Sequence, residues 1–120
     1  MERQSKNEKL LQYFKDICLI PRQTGDEEAI SQYLLDFAKA RGLQAERDAH
    51  HNVLIRKPST IPGYKGPTVI VQGHMDIVYE KSADSTHKYE DGIHVVEEDG
   101  YLKSADGTSL GADNGLAVAY

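Results

Sequence analysis

The stretch that most restricts what this chain can fold into is Thr68-Val69-Ile70-Val71-Gln72, four β-branched residues in succession with no polar residue alternating among them. A strand with one wet face alternates apolar and polar residues. A short β-branched run without alternation instead reads as a strand buried on both faces, which requires a sheet covered by helices. The segment before it, 58–67, is punctuated by Pro62, Gly63 and Gly66 and reads as a loop that delivers the chain into the strand. The expected class is therefore α/β, with a mixed sheet flanked by helices in three layers. Such sheets bind ligands beyond the carboxyl ends of their strands. Here the residues at that end are Gly73-His74-Met75-Asp76.

The flanking helices are legible too. Between Glu8 and Ile20, residues Leu10, Leu11, Phe14, Ile17 and Cys18 recur at helical spacing, and Pro21 stops the pattern. A second helix opens on Asp26, Glu27 and Glu28, carries Ile30, Tyr33, Leu34, Phe37 and Ala38 on one face, and closes near Lys39, Arg41 and Gly42. Leu43 to Arg47 and Asn52 to Lys57 predict a hairpin around 48–51. Ile93 to Glu98 and Tyr101 to Ser104 predict another around Asp99-Gly100, a strong tight-turn signal. After the loop Gly107 to Gly111, the apolar residues from Leu116 to Tyr120 predict the start of a helix near Asn114.

Composition narrows the functional classes. One domain is expected of 120 residues, and a formal net charge of −5 gives no electrostatic footprint for nucleic acid or anionic lipid. The first residues lack the apolar core of a signal peptide. No stretch approaches the roughly 20 apolar residues of a membrane span, so neither nucleic acid nor membrane is an expected partner and a soluble, cytoplasmic protein is. Cys18 is the only cysteine, which excludes an internal disulfide and a thiolate zinc cage. Any metal held here takes oxygen and imidazole ligands.

His74 and Asp76 stand two apart, so an extended backbone projects them to the same side. A carboxylate on one ring nitrogen fixes the tautomer of a histidine and raises the basicity of the other nitrogen, the arrangement of many zinc ligands. His-x-Asp alone is a weak signal, and a hydrogen-bonded turn histidine is the plainer reading. A second stretch, Gly107 to Gly115, adds Asp113 where loop turns to helix; its carboxylate either caps the helix or reaches a metal. Taken together the three make a constellation that helix capping does not require. His50, His51, His87 and His94 lie in polar surroundings and read as solvated, Cys18, Tyr13, Tyr33 and Phe37 as packing, and Glu97-Glu98-Asp99 as a solvated turn.

"GHMD" followed by "GTSLGADNG" resembles the di-zinc exopeptidases of the aminoacylase and carboxypeptidase-G type, and is most similar to the aminoacyl-histidine dipeptidases, the carnosinase-like enzymes. The similarity extends through "IPRQTGDEEAISQYLLDFAKARGL" and "DAHHNVLIRKP". It implies hydrolysis of small peptides, Xaa-His dipeptides foremost, by water activated between two zinc ions, with cobalt or manganese as substitutes. It implies His74 and Asp113 as metal ligands, Asp113 bridging the two ions, and Asp76 as the catalytic-site carboxylate supporting His74. It also implies a cis peptide bond between Asp113 and Asn114, and a homodimeric whole protein. In that family the general-base glutamate and the remaining ligands follow the bridging aspartate, whereas none of the seven residues after Asp113 is acidic or histidine. The expectation is thus that residues 1–120 form the amino-terminal part of such a catalytic domain, ending within the helix begun near Asn114, and are inactive in isolation. A related tripeptidase or deacylase, a noncatalytic module that binds metal or a partner, and a plain α/β binding module without metal are the alternatives.

Overall fold

The computed structural model describes residues 6–120. In chain order the elements are α1 (Lys6–Cys18), α2 (Glu28–Ala40), β1 (Gln44–Arg47), β2 (Val53–Arg56), β3 (Val95–Glu98), β4 (Tyr101–Ser104) and α3 (Ala112–Ala119), with a 3-10 turn at Tyr89–Asp91.

The apolar stripe of α1 seeds the core. Phe14, Cys18, Ile77 and Ile93 are buried together, and Val95 and Leu102 of the second hairpin, Leu110 of the loop before α3 and Leu116 of α3 close around them. The helix stops at Cys18 rather than Ile20. Its last turn tightens as Ile20 N–H donates to the Ile17 carbonyl at 3.1 Å, because the residue before Pro21 is sterically pushed out of the helical region. The freed Cys18 carbonyl accepts the Ile93 N–H at 2.8 Å, which joins α1 to the second hairpin.

A separate layer forms where α2 rests on the first hairpin, with Ile30, Ser31 and Ala38 buried beneath the helix. The Ser31 hydroxyl donates to the Glu28 carbonyl and accepts from Arg47 Nη1 at 3.0 Å, so this polar atom is satisfied in the interface. In that hairpin Gln44 pairs with Arg56 and Arg47 with Val53. Its turn is organised by the Asp48 carboxylate, which accepts the His50 and Asn52 N–H groups at 2.9 Å. The β3–β4 turn has left-handed φ at both Asp99 (52°) and Gly100 (79°), the requirement of a two-residue type I′ connection.

The α/β class holds, but the strand expected at Thr68–Gln72 is not formed. The two sheets are two-stranded antiparallel hairpins, and among the described residues this run pairs with neither. Val69, Ile70 and Val71 are 80 %, 84 % and 86 % exposed, facing β2 across an open groove. β-branched residues favour a pleated surface, yet a strand exists only where a neighbouring backbone completes its hydrogen bonds. Backbone pairing begins at Ile77, which forms a parallel bridge with Gln23: its N–H donates to the Arg22 carbonyl at 3.0 Å and its carbonyl accepts the Thr24 N–H at 3.1 Å.

Candidate metal centre

The bridge at Ile77 anchors one side of the site, because His74 and Asp76 lie immediately before it. The other side is the start of α3. Gly111 adopts a left-handed φ of 80°, Asp113 (φ −93°, ψ 96°) departs from helical geometry, and the Asp113–Asn114 peptide bond is cis. Among the described residues no side chain caps α3, so the capping reading of Asp113 gives way to another partner.

That partner is His74. Its Nε2 lies 3.0 Å from Asp113 Oδ1, and its Nδ1 lies 3.1 Å from both Asp76 Oδ1 and the Asp76 carbonyl. Asp76 is held in turn, since its Oδ2 accepts the Thr24 hydroxyl at 2.6 Å. Carboxylates and carbonyls only accept hydrogen bonds, so both ring nitrogens face acceptors. A neutral imidazole satisfies one of them. The other needs a second proton or a metal cation.

The electrostatics agree. Asp113 foremost, then Asp76, pull the His74 pKa above the ordinary histidine value against the opposing effect of desolvation. The Thr24 hydroxyl foremost, followed by His74, holds Asp76 below the usual carboxylate range, again against desolvation. Asp76 therefore accepts Nδ1–H, and Nε2, which faces Asp113, is the nitrogen where the second proton or a cation sits.

An imidazole nitrogen and a carboxylate oxygen converging in this way suit zinc, and a carboxylate behind the histidine is its usual orienting partner. The side chains are also accessible, His74 being 51 % exposed and Asp113 95 %. Beyond this pair the described residues contain no group of three or more His, Cys, Asp or Glu side chains placed to hold a metal ion. The arrangement offers two ligands and one orienting group.

The other histidines stand apart. His50 and His94 are exposed, as expected. His87 is not solvated, contrary to the reading from its polar neighbours. It is buried with Nε2 donating to the Gly92 carbonyl at 2.6 Å and Nδ1 paired with the Tyr79 hydroxyl at 2.7 Å, which satisfies both nitrogens. Cys18 is core, and burial raises its thiol pKa. Two residues around the site were invisible to sequence reasoning. Thr24 grips Asp76 across 52 positions of chain, and Arg22, beside it, is almost wholly buried next to both halves of the site. Neither carries a local sequence signal, because each is defined by partners far along the chain.

No protein-family model matches the chain. Over 106 residues, 88 % of its length, it is 39 % identical to the cytosol non-specific dipeptidase of Escherichia coli strain K12. The crystal structure of aminoacylhistidine dipeptidase from Vibrio alginolyticus superposes on 95 % of the chain with a TM-score of 0.87 at 36 % identity. Both of these relatives are dipeptidases. The chain spans 22 % of the length of the first and 23 % of the second, so it corresponds to a part of each. Its fold is that of the matching part of the aminoacylhistidine dipeptidase. No helix among the described residues is long and apolar enough to cross a membrane.

Proposed function

We propose that this chain contributes His74, Asp76 and Asp113 to the zinc centre of a cytoplasmic dipeptidase that hydrolyses small peptides, Xaa-His dipeptides among them. The observation that carries the reading is the histidine ring set between two carboxylates, with one nitrogen on each. Zinc, when bound, supplies Lewis acidity toward the scissile carbonyl and lowers the pKa of water. Asp76 fixes the tautomer by accepting Nδ1–H and is itself fixed by Thr24; His74 presents Nε2; Asp113 presents its exposed carboxylate from a backbone turn locked onto α3. Two ligands bind zinc weakly in comparison with the four of a closed site. The chain alone is therefore expected to bind the ion without turning over peptide.

The test is a chimera in which the chain replaces the matching part of the Vibrio alginolyticus aminoacylhistidine dipeptidase. Hydrolysis of β-alanyl-histidine by the chimera, reduced at least a thousandfold by His74→Ala and by Asp113→Ala, is the expected result. Undiminished turnover in both variants of an active chimera overturns the reading. Replacing the carboxy-terminal histidine of the substrate by alanine tests the Xaa-His preference separately.

A further inference from the structure

Among the described residues Arg22, 1 % exposed, is the largest fully buried side chain, and no carboxylate there lies within ion-pair distance of it, although Asp76 favours its charged form from farther off. Buried arginines are ordinarily matched by a carboxylate. This one spends its donors on backbone. Nη1 donates to the Met75 carbonyl at 2.9 Å and Nη2 to the Gly111 carbonyl at 3.0 Å, while Nε has no partner among the described residues. Met75 lies between His74 and Asp76, and Gly111 lies two residues before Asp113. The two carbonyls thus belong to the two separate segments that carry the candidate ligands.

The surroundings are shaped to this guanidinium. A Cβ at Gly111 would lie 2.9 Å from Nη2, and one at Gly115 would lie 2.7 Å from it. Both glycines leave the space that the planar group fills. Gly73, on the other segment, packs closely enough that its Cβ would meet the Asn114 side chain at 3.0 Å and the Ala117 methyl at 3.4 Å. The segments are pressed together where Arg22 joins them.

We propose that Arg22 is a positioning residue for the metal centre: by donating from its two terminal nitrogens to Met75 and Gly111 it sets the separation of His74 from Asp113. The inference rests on the zinc reading above for its function and on the hydrogen bonds alone for its geometry. Lysine offers one nitrogen where arginine offers a fork, so Arg22→Lys keeps the charge and loses the span.

The experiment is a zinc titration by calorimetry of the wild-type chain, Arg22→Lys and Asp113→Asn, with an amide NMR spectrum and nuclear Overhauser contacts of each metal-free chain. The expected result is a folded Arg22→Lys in which the β3–β4 resonances are unchanged, the Gly73 Hα to Ala117 methyl contact is lost, and zinc affinity falls about 10–100-fold. Wild-type affinity with that contact retained overturns the proposal. Equal zinc uptake by wild type and Asp113→Asn marks failure of the zinc reading instead, and the Gly73–Ala117 contact then decides on Arg22 alone: its loss upholds the tie, its persistence overturns it. Should Arg22→Lys not fold, the wild-type chain decides. Resolved, slowly exchanging Nη protons of Arg22 with couplings to the Met75 and Gly111 carbonyl carbons support the tie, and a single averaged Nη signal without couplings overturns it.

Discussion

Residues 69–71 and residue 77 belong to one stretch of chain and have similar side chains, yet Val69, Ile70 and Val71 are more than three-quarters exposed while Ile77 is 5 % exposed. Hydrophobicity does not separate them. Neighbours do. Ile77 meets Phe14, Cys18 and Ile93 and is pinned by the Gln23 bridge, whereas the 69–71 backbone lacks a strand beside it among the described residues. Each exposed side chain forgoes about 1.5–3 kcal/mol of transfer free energy that burial would provide. The candidate site is therefore held from its Ile77 and α3 side, not from the run that leads into it.

The sharpest way to break this contrast is at Phe14, wholly buried at its centre. Phe14→Ala should cost about 3–5 kcal/mol in a denaturant titration, through lost transfer energy and the cavity left behind. A loss below about 1 kcal/mol would place the stabilising core elsewhere. Next in size is Gly115→Ala, whose new methyl would sit 2.7 Å from Arg22 Nη2 and 3.1 Å from Phe14. Overpacking of this kind should cost roughly 1–3 kcal/mol, read by the same titration, even though alanine is the better helix former.

Acidity probes the exposed face of the pinned region. His74 has a raised folded pKa, so its pairing with Asp113 and Asp76 stabilises the metal-free chain below the ordinary histidine range and is lost as pH rises through the raised value. Asp76 has a depressed folded pKa, so its contribution is present above the ordinary aspartate range and is lost as pH falls through the depressed value. The metal-free pairing is therefore strongest between those limits. Zinc competes with the His74 proton, so calorimetric affinity should rise with pH across the His74 titration and the histidine ring should release a proton on binding. Affinity independent of pH over that interval would remove His74 from the ligand set.

The smallest effect is expected at the other pole of the comparison. Ile70→Lys should change stability by no more than about 0.5 kcal/mol and should lower the binding of a hydrophobic dye, because Ile70 is 84 % exposed. A loss above 1 kcal/mol would mean that the run is packed in solution.

Most helices and both hairpins were legible because their signals are local: the α1 and α2 stripes, the Gly42 end of α2, and the Asp99-Gly100 turn. His74, Asp76 and Asp113 were nominated from a His-x-Asp after an apolar run, a glycine-flanked aspartate and the family resemblance, and the structure sets the three in one hydrogen-bonded cluster. Three things were not legible. The 68–72 run has strand composition, but pairing is a property of two segments. His87 looks solvated by its neighbours in sequence and is buried by Tyr79 and Gly92 in space.

Arg22 is the clearest case of the third kind. Its position directly after Pro21 marks only the end of a helix; its burial, its reach to carbonyls 53 and 89 residues away, and the glycines that admit it appear once the chain is folded. By itself the sequence determined the periodic elements, the turn chemistry and the residue types able to meet a metal, since these depend on backbone preferences and side-chain chemistry within a few residues. Only the tertiary structure decided which apolar run is buried, which histidine is enclosed and what holds the two halves of the site together, because burial and hydrogen-bond satisfaction depend on partners that are distant in sequence.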